Sequence, residues 1–189
     1  MPCTDGATTA SVQTQPLRGP DGTLAVLMVS SADDHNKDSH QCSANYQLLL
    51  RTPADALAAA DLLSSDADYG RNLSLRLNGF SQDGKRLYGI LSEDGNTPST
   101  ILFEYDVAAG TLQLFDLNEQ FARIVNRKCS ATFDVIGNTE KGAIVLALNY
   151  ENACAPTTRW LLTSANSRVQ PVPPAATIQP LYESKASAP

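Results

Sequence analysis

The feature that most constrains this fold is a polar glycine turn followed by a short apolar run, repeated at a spacing of about 60 residues. The three turns are residues 19–23, 80–85 and 137–142, and the three runs are residues 24–29, 86–91 and 143–148. A glycine in each turn supplies the positive φ that a tight hairpin needs, and the runs are rich in branched residues, as strands buried on both faces are. The pattern therefore predicts β-hairpins in three successive units.

Each apolar run is followed by a polar loop and then by a second strand. The further predicted strands are residues 46–51, 73–77, 100–106, 111–115, 132–136, 158–163 and 168–170. Sheets of three or four strands are too small to bury their faces alone, so they must stack. We therefore predict an all-β fold of three small antiparallel sheets packed like propeller blades, with one or two short helical turns. The predicted domain is 1–170, with blades at about 3–63, 71–117 and 129–170.

Two segments depart from the strand pattern. Residues 52–60 combine an N-cap threonine, a proline at the first helical position and an alanine run, which predicts a short helix. Residues 118–127 predict a second helical turn, since Leu117, Phe121 and Ile124 have helical spacing. The Pro/Ala-rich stretch 171–189 predicts an extended C-terminal tail outside the core.

The chain has four cysteines, Cys3, Cys42, Cys129 and Cys154. The even number without zinc-ligand spacing favours two disulfides and an oxidising compartment, and four separate buried thiols are the alternative. Because the cysteines occupy matching places in the two outer units, we predict the pairs Cys3–Cys42 and Cys129–Cys154. The first residues have neither a basic nor an apolar leader region, so export implies that a leader was removed.

Charge and composition exclude several classes of protein. Lys plus Arg is 14 and Asp plus Glu is 20, which gives 14 − 20 = −6. Without a basic run, this balance argues against a nucleic-acid partner. The hydrophobic content of 42% with 18% charged residues argues against disorder. No apolar run approaches the roughly 20 residues of a membrane span.

The sequence offers little catalytic chemistry. Both histidines, His35 and His40, fall in the polar stretch 33–42 with three aspartates and Cys42. Such a loop can converge on a metal, but its spacing matches neither a calcium loop nor a zinc signature. There is no Gly-x-Ser-x-Gly nucleophile motif and no glycine-rich phosphate loop. We therefore predict that the protein is not an enzyme and has no cofactor or metal. A metal-dependent hydrolase using the two histidines remains as an alternative.

The middle loop is the candidate binding element. It consists of small, polar, turn-forming residues, namely Ser92, Glu93, Asp94, Gly95, Asn96, Thr97, Pro98, Ser99 and Thr100. It joins two well-defined strands, and loops on rigid scaffolds are where binding residues accumulate. A solvated connection without a role is the alternative.

The middle unit resembles the blade repeat of TolB-type propellers. The residues that carry the likeness are 80–88, 102–106 and 108–110. More narrowly, the order of features resembles the small periplasmic immunity proteins that neutralise peptidoglycan amidase effectors of type VI secretion. These features are an early cysteine, an apolar strand leading into an acidic loop, the Ser-Gln-Asp-Gly turn, a Tyr-Asp strand end and a late cysteine in a polar loop.

The resemblance implies a periplasmic, propeller-like inhibitor that caps the cleft of a cognate Cys-His amidase. In that family a polar loop of the middle sheet enters the cleft, where a serine hydrogen-bonds the catalytic histidine. The matching loop here is 92–100, with Ser99 or Thr97 as the hydroxyl donor. A non-catalytic scaffold module of a cell-envelope complex is the alternative. A homodimer is one way to cover sheet edges left open by three units.

Overall fold

The fold is given by a computed structural model, which describes residues 9–12, 14–34, 41–67, 72–94, 99–122, 124, 131–150, 158–163 and 168–185. The first sheet contains β1 Thr9–Val12, β2 Leu17–Arg18, β3 Leu24–Asp34, β4 Gln41–Arg51 and β5 Leu57–Ala67. The second sheet contains β6 Asn72–Phe80, β7 Arg86–Asp94, β8 Ser99–Asp106 and β9 Thr111–Asp116, followed by the helix α1 Leu117–Phe121. The third sheet contains β10 Ala131–Thr139, β11 Ile144–Tyr150, β12 Arg159–Thr163 and β13 Arg168–Pro171. Two short strands end the described chain, β14 Ile178–Pro180 and β15 Ser184–Lys185.

The topology confirms the all-β prediction of three antiparallel sheets. The second sheet has the simple order β6-β7-β8-β9. The first sheet has the order β15-β2-β3-β4-β5, with β1 also paired to β3, and the third has the order β13-β12-β11-β10-β14. Each sheet thus consists of strands that follow one another in the chain, and the first and third sheets are extended at one edge by a strand from the C-terminal segment.

The repeat appears as three turns with the same pattern of backbone bonds. The N–H groups of Gly19, Ser81 and Thr139 donate across the turns to Thr23, Arg86 and Ala143, at 2.7, 2.8 and 2.9 Å. A glycine three positions later donates back in every case, and these glycines have φ of 90°, 71° and 79°. The positive φ is the conformation that the glycine was predicted to supply.

The second sheet lies between the other two and is buried on both faces. Leu87, Leu91 and Phe103 belong to the core shared with the first sheet. Tyr88, Ile90 and Leu102 alternate with them and belong to the core shared with the third sheet. The apolar run of the middle unit is therefore buried on both faces, as its sequence predicted.

The helix predicted at 52–60 is wrong. Residues 52–56 form a turn in which the Thr52 N–H donates to the Ala56 carbonyl and the Ala56 N–H donates to the Thr52 hydroxyl. Asp55 in this turn has a positive φ of 65°. The alanines that follow belong to β5, where Ala58, Ala59 and Ala60 pair with Leu50, Leu49 and Leu48. Cross-strand pairing satisfies the backbone and overrides the helix preference of alanine. The second predicted helical turn is confirmed as α1, which is shorter than the predicted segment.

The prediction that the stretch from Pro171 onward is a tail outside the core is also wrong. Residues 178–180 pair with β10, residues 184–185 pair with β2, and Tyr182 forms a bridge to Phe80 of β6. Leu181 is buried in the core between the second and third sheets. Composition indicated an extended chain correctly, but it carries no signal for long-range strand pairing.

The cysteine predictions lie largely outside the described residues. Cys3, Cys129 and Cys154 are not among them, and of Cys42 only the place in β4 is described, opposite Asp33 and Ala67. Both disulfide pairs therefore stay predictions.

Candidate functional site

The predicted middle loop extends a hairpin of the second sheet. Ser92 pairs with Thr100 and Glu93 pairs with Ser99, so β7 and β8 reach further into the predicted loop than the sequence indicated. Asp94 ends β7, where it pairs with Asn72 of β6. The remaining predicted contact residues, Gly95, Asn96, Thr97 and Pro98, lie outside the described residues.

The base of this hairpin is held from both sides. Leu91 on β7 faces the first sheet with 2% of its surface exposed, and Leu102 on β8 faces the third sheet and is fully buried. Because side chains alternate between the faces of a strand, any tilt of the hairpin disturbs packing against one neighbouring sheet or the other. The hairpin is consequently a rigid base for whatever its loop contacts.

Helix α1 gives the hairpin base a second support. The Asn118 Oδ1 accepts a hydrogen bond from the Thr100 N–H at 2.7 Å. The Asp116 carboxylate caps the helix by accepting from the Glu119 N–H at 3.0 Å. On the buried side, Phe121 packs its ring against Phe133 and Trp160, with centroids 5.1 and 5.5 Å away. The helix thus connects the hairpin base to the third sheet, and the helical spacing of Leu117, Phe121 and Ile124 was the sequence signal for it.

The three glycine turns meet at the opposite end of the molecule from this loop. A Cβ placed on Gly84 would lie 3.1 Å from Pro20, and one on Gly142 would lie 3.6 Å from Arg86. The strands β3, β7 and β11 all start at those turns, and they run into the polar stretches 33–42, 92–100 and 149–154.

Acidic residues are frequent at the ends of the strands in the first two sheets. Asp33 and Asp34 lie at the end of β3, and Glu93 and Asp94 lie at the end of β7. Asp66 lies on the neighbouring strand β5, opposite Ser43. They are among the 20 acidic residues that give the chain its net charge of −6. The strands β3 and β7 therefore each end in two acidic residues.

A buried polar cluster occupies the other end of the seam between the second and third sheets. Glu104 is 5% exposed and accepts from the Arg86 guanidinium at 2.5 Å. Burial is the largest single influence on Arg86 and opposes its charge, but Glu104 and Tyr88 together outweigh burial and raise the pKa of that guanidinium. Burial, reinforced by the same carboxylate, also raises the pKa of the adjacent Tyr88 phenol. This ion pair lies far from the candidate loop and supports the packing of the two sheets.

Asn78 links the second and third sheets through a polar contact. Its amide donates to Asp134 at 2.5 Å, and Arg76 lies 3.0 Å from the same carboxylate. Three buried polar atoms have no hydrogen-bond partner among the described residues, namely Asn78 Oδ1, Tyr88 Oη and Asn138 Oδ1. They lie on the two sheets that form this seam, and none of them is near the candidate loop.

The alternative metal site and any membrane-spanning helix can be assessed only within the described residues. His35 and His40 lie outside them, so the alternative metal site is not described. Within the ranges given above, no group of three or more His, Cys, Asp or Glu residues could hold a metal ion. Of the helices in the described part of the chain, none is long and apolar enough to cross a membrane.

Comparison of the chain with protein-family models, with curated proteins and with solved structures found no match.

Proposed function

We propose that this protein is a periplasmic immunity protein that binds a cognate peptidoglycan amidase effector and occludes its Cys-His active site. The observation that carries the proposal is the β7–β8 hairpin, whose strands are buried on both faces and whose base is fixed by Asn118. A polar loop on so rigid a base can enter a cleft without losing much conformational freedom, which favours tight binding.

The loop carries the groups that such a cleft recognises. In an enzyme cleft closed to water, a hydroxyl of Ser99 or Thr97 can donate to or accept from a catalytic imidazole. Leaving that imidazole without a partner costs about 1–3 kcal/mol, so the hydroxyl contributes specificity as well as affinity. The rim of the loop then excludes water from the contact.

Charge supports the same mode of binding. The protein has a net charge of −6, and β3 and β7 each end in two acidic residues. A basic effector would be steered toward it, and the association rate would fall as salt is added.

The experiment is co-purification and calorimetry with the cell-wall hydrolase encoded beside this gene. We expect a complex with a Kd below about 1 μM. Replacing Thr97→Arg should weaken it by about 30-fold or more, as expected for a central contact worth about 2 kcal/mol. The matched control is Ala109→Arg, which places the same charge on the exposed β8–β9 turn at the opposite end of the sheet and should change Kd less than twofold. If the neighbouring product is no cell-wall hydrolase, or the two variants bind alike, the proposal fails.

The outer edge of the first sheet favours a second candidate function, a scaffold module of a cell-envelope complex. Strand β5 ends the sheet, has 11 residues, and exposes 81% of Leu57. Long edge strands without lysine or proline are templates for pairing with another chain. In this case deleting residues 94–97 would leave partner binding intact, whereas Ala59→Lys on β5 would abolish it.

A further inference from the structure

The C-terminal segment lies along the inner edges of all three sheets. We call the edges of β2, β6 and β10 the inner groove, and residues 178–185 the strap. The strap pairs with β10 through residues 178–180 and with β2 through residues 184–185. Between them, Phe80 and Tyr182 exchange two backbone bonds, of 3.1 and 2.7 Å. One short segment thus covers edges that three separate sheets would otherwise leave open.

Side chains of the strap are anchored in both cores. Leu181 is 8% exposed and lies in the core between the second and third sheets. Tyr182 packs against the core between the first and second sheets. The Gln82 side chain donates to the Pro180 carbonyl at 2.7 Å. Main-chain pairing together with alternating anchors is how proteins bind extended peptides by strand addition.

Two glycines shape the groove for this segment. A Cβ on Gly79 would lie 2.8 Å from the Leu181 Cβ, and one on Gly137 would collide with the Gln179 carbonyl oxygen. Both clashes are with residues of the strap. The groove is therefore fitted to an occupant that lies against its backbone.

The segment before the strap is held mainly at its ends. Pro173, Pro174 and Ala175 are exposed, and the Val172 N–H bonds to Arg159 next to β13. A peptide on such a tether behaves as a ligand at a high local concentration, of the order of millimolar.

We propose that the inner groove is a strand-acceptor site, that the strap fills it as an intramolecular ligand, and that the partner it accepts in trans is the strap of a second copy of this chain. The strap is the peptide whose fit the structure displays, and the mostly exposed segment 172–177 tethers it to β13. Exchange of a tethered strand is a low-cost route to a dimer.

Hydrogen exchange on the unaltered protein tests the first part. We expect the amides of the strap to exchange at least 10-fold faster than those of β7 and β8, in one step shared with the inner edge of β10. The variant Gly137→Val should accelerate exchange of the strap further and leave β7 and β8 unchanged, with Thr177→Ala on the tether as the control. Exchange of the strap at the same rate as β7 and β8 would show that it is an integral part of the core and overturn the proposal.

Peptide binding tests the acceptor site directly. A protease site is placed at residues 175–176, the folded chain is cleaved, and a fluorescent peptide of residues 177–185 is added. We expect the peptide to replace the strap, and a Leu181→Asp peptide to bind at least 10-fold more weakly. A cleaved protein that keeps its circular dichroism spectrum but takes up no peptide contradicts the proposal. If cleavage unfolds the protein, the hydrogen-exchange rates of the uncleaved protein decide whether the proposal holds.

The partner in trans is tested by native mass spectrometry of the whole chain over rising concentration. We expect dimers to form. Added strap peptide should dissociate them, and Leu181→Asp in the chain should abolish them. A monomer at every concentration excludes the second copy as partner. Neither result depends on the amidase, so this proposal and the proposed function can fail independently.

Discussion

Among single residues, Glu104 is a clear case of a buried charge held by an ion pair. Its side chain is 6% exposed, whereas that of Arg86 is 36% exposed. The variant Arg86→Met removes this ion pair while the carboxylate stays buried between two sheets. We expect the free energy of unfolding to fall by about 3 kcal/mol, the lower end of the range for a broken buried pair, because Arg86 keeps contact with solvent.

The double variant Arg86→Met/Glu104→Gln is the control for this prediction. It removes both charges and should recover part of the loss in urea denaturation, because a neutral amide costs less to bury than a carboxylate. Equal losses in the single and double variants would show that the buried charge that has lost Arg86 is not the cause.

Tyr88 gives the molecule a predicted response to alkaline pH. Burial raises the pKa of its phenol above the ordinary value of about 10. The folded protein therefore keeps a proton that the unfolded chain releases, so the free energy of unfolding falls as pH rises above about 10. The variant Tyr88→Phe lacks this group and should lose less stability between pH 9 and about 11. Parallel pH profiles for the two proteins would contradict the assignment.

At the scale of elements, strands with local signals were predictable and strands with distant partners were not. Each hairpin of the repeat follows from a glycine turn and an apolar run, which are local features. Residues 57–60 form a strand because they pair with residues 48–51. The helix propensity of alanine therefore gave the wrong prediction for this segment. The strap depends on contacts more than 40 residues away, such as Gly137 with Pro180, for which composition holds no information.

The candidate site shows the same division. The hairpin that carries residues 92–100 follows from the sequence of the middle unit. Its support by Asn118 does not, because a contact between Thr100 and a helix one strand later requires the sheet to be folded first.

Helix α1 should lose stability when its cap is removed. Asp116→Ala leaves the Glu119 N–H without its side-chain acceptor and should lower the free energy of unfolding by about 1 kcal/mol. Asp116→Asn keeps an oxygen in place and is the matched control, with an expected change of about 0.3 kcal/mol or less. Thermal denaturation of the three proteins measures the difference. Equal melting temperatures for the alanine variant and the parent would mean that the cap contributes nothing.

At the scale of the whole molecule, stacking places the second sheet in both cores. Its residues alternate between the two, so neither outer sheet can lose its packing without exposing a face of the middle one. The three units repeat in sequence, but each core is formed between two neighbouring sheets and not within one unit. Repeat arrays with large interfaces between neighbours unfold together.

A destabilising substitution in the first sheet should therefore also destabilise the third sheet. Leu48 is fully buried in the core between the first and second sheets, and Leu48→Ala should cost about 2–5 kcal/mol. The only tryptophan, Trp160, lies in the third sheet with 3% of its surface exposed, so its fluorescence reports on that sheet alone. We expect Leu48→Ala to lower the urea midpoint seen by Trp160 fluorescence as much as the midpoint seen by far-ultraviolet circular dichroism. The control Leu114→Ala, at a residue 45% exposed, should change both by about 0.5 kcal/mol or less. A fluorescence midpoint that stays in place while the dichroism midpoint falls would mean that the sheets unfold separately and that the shared middle sheet does not couple them.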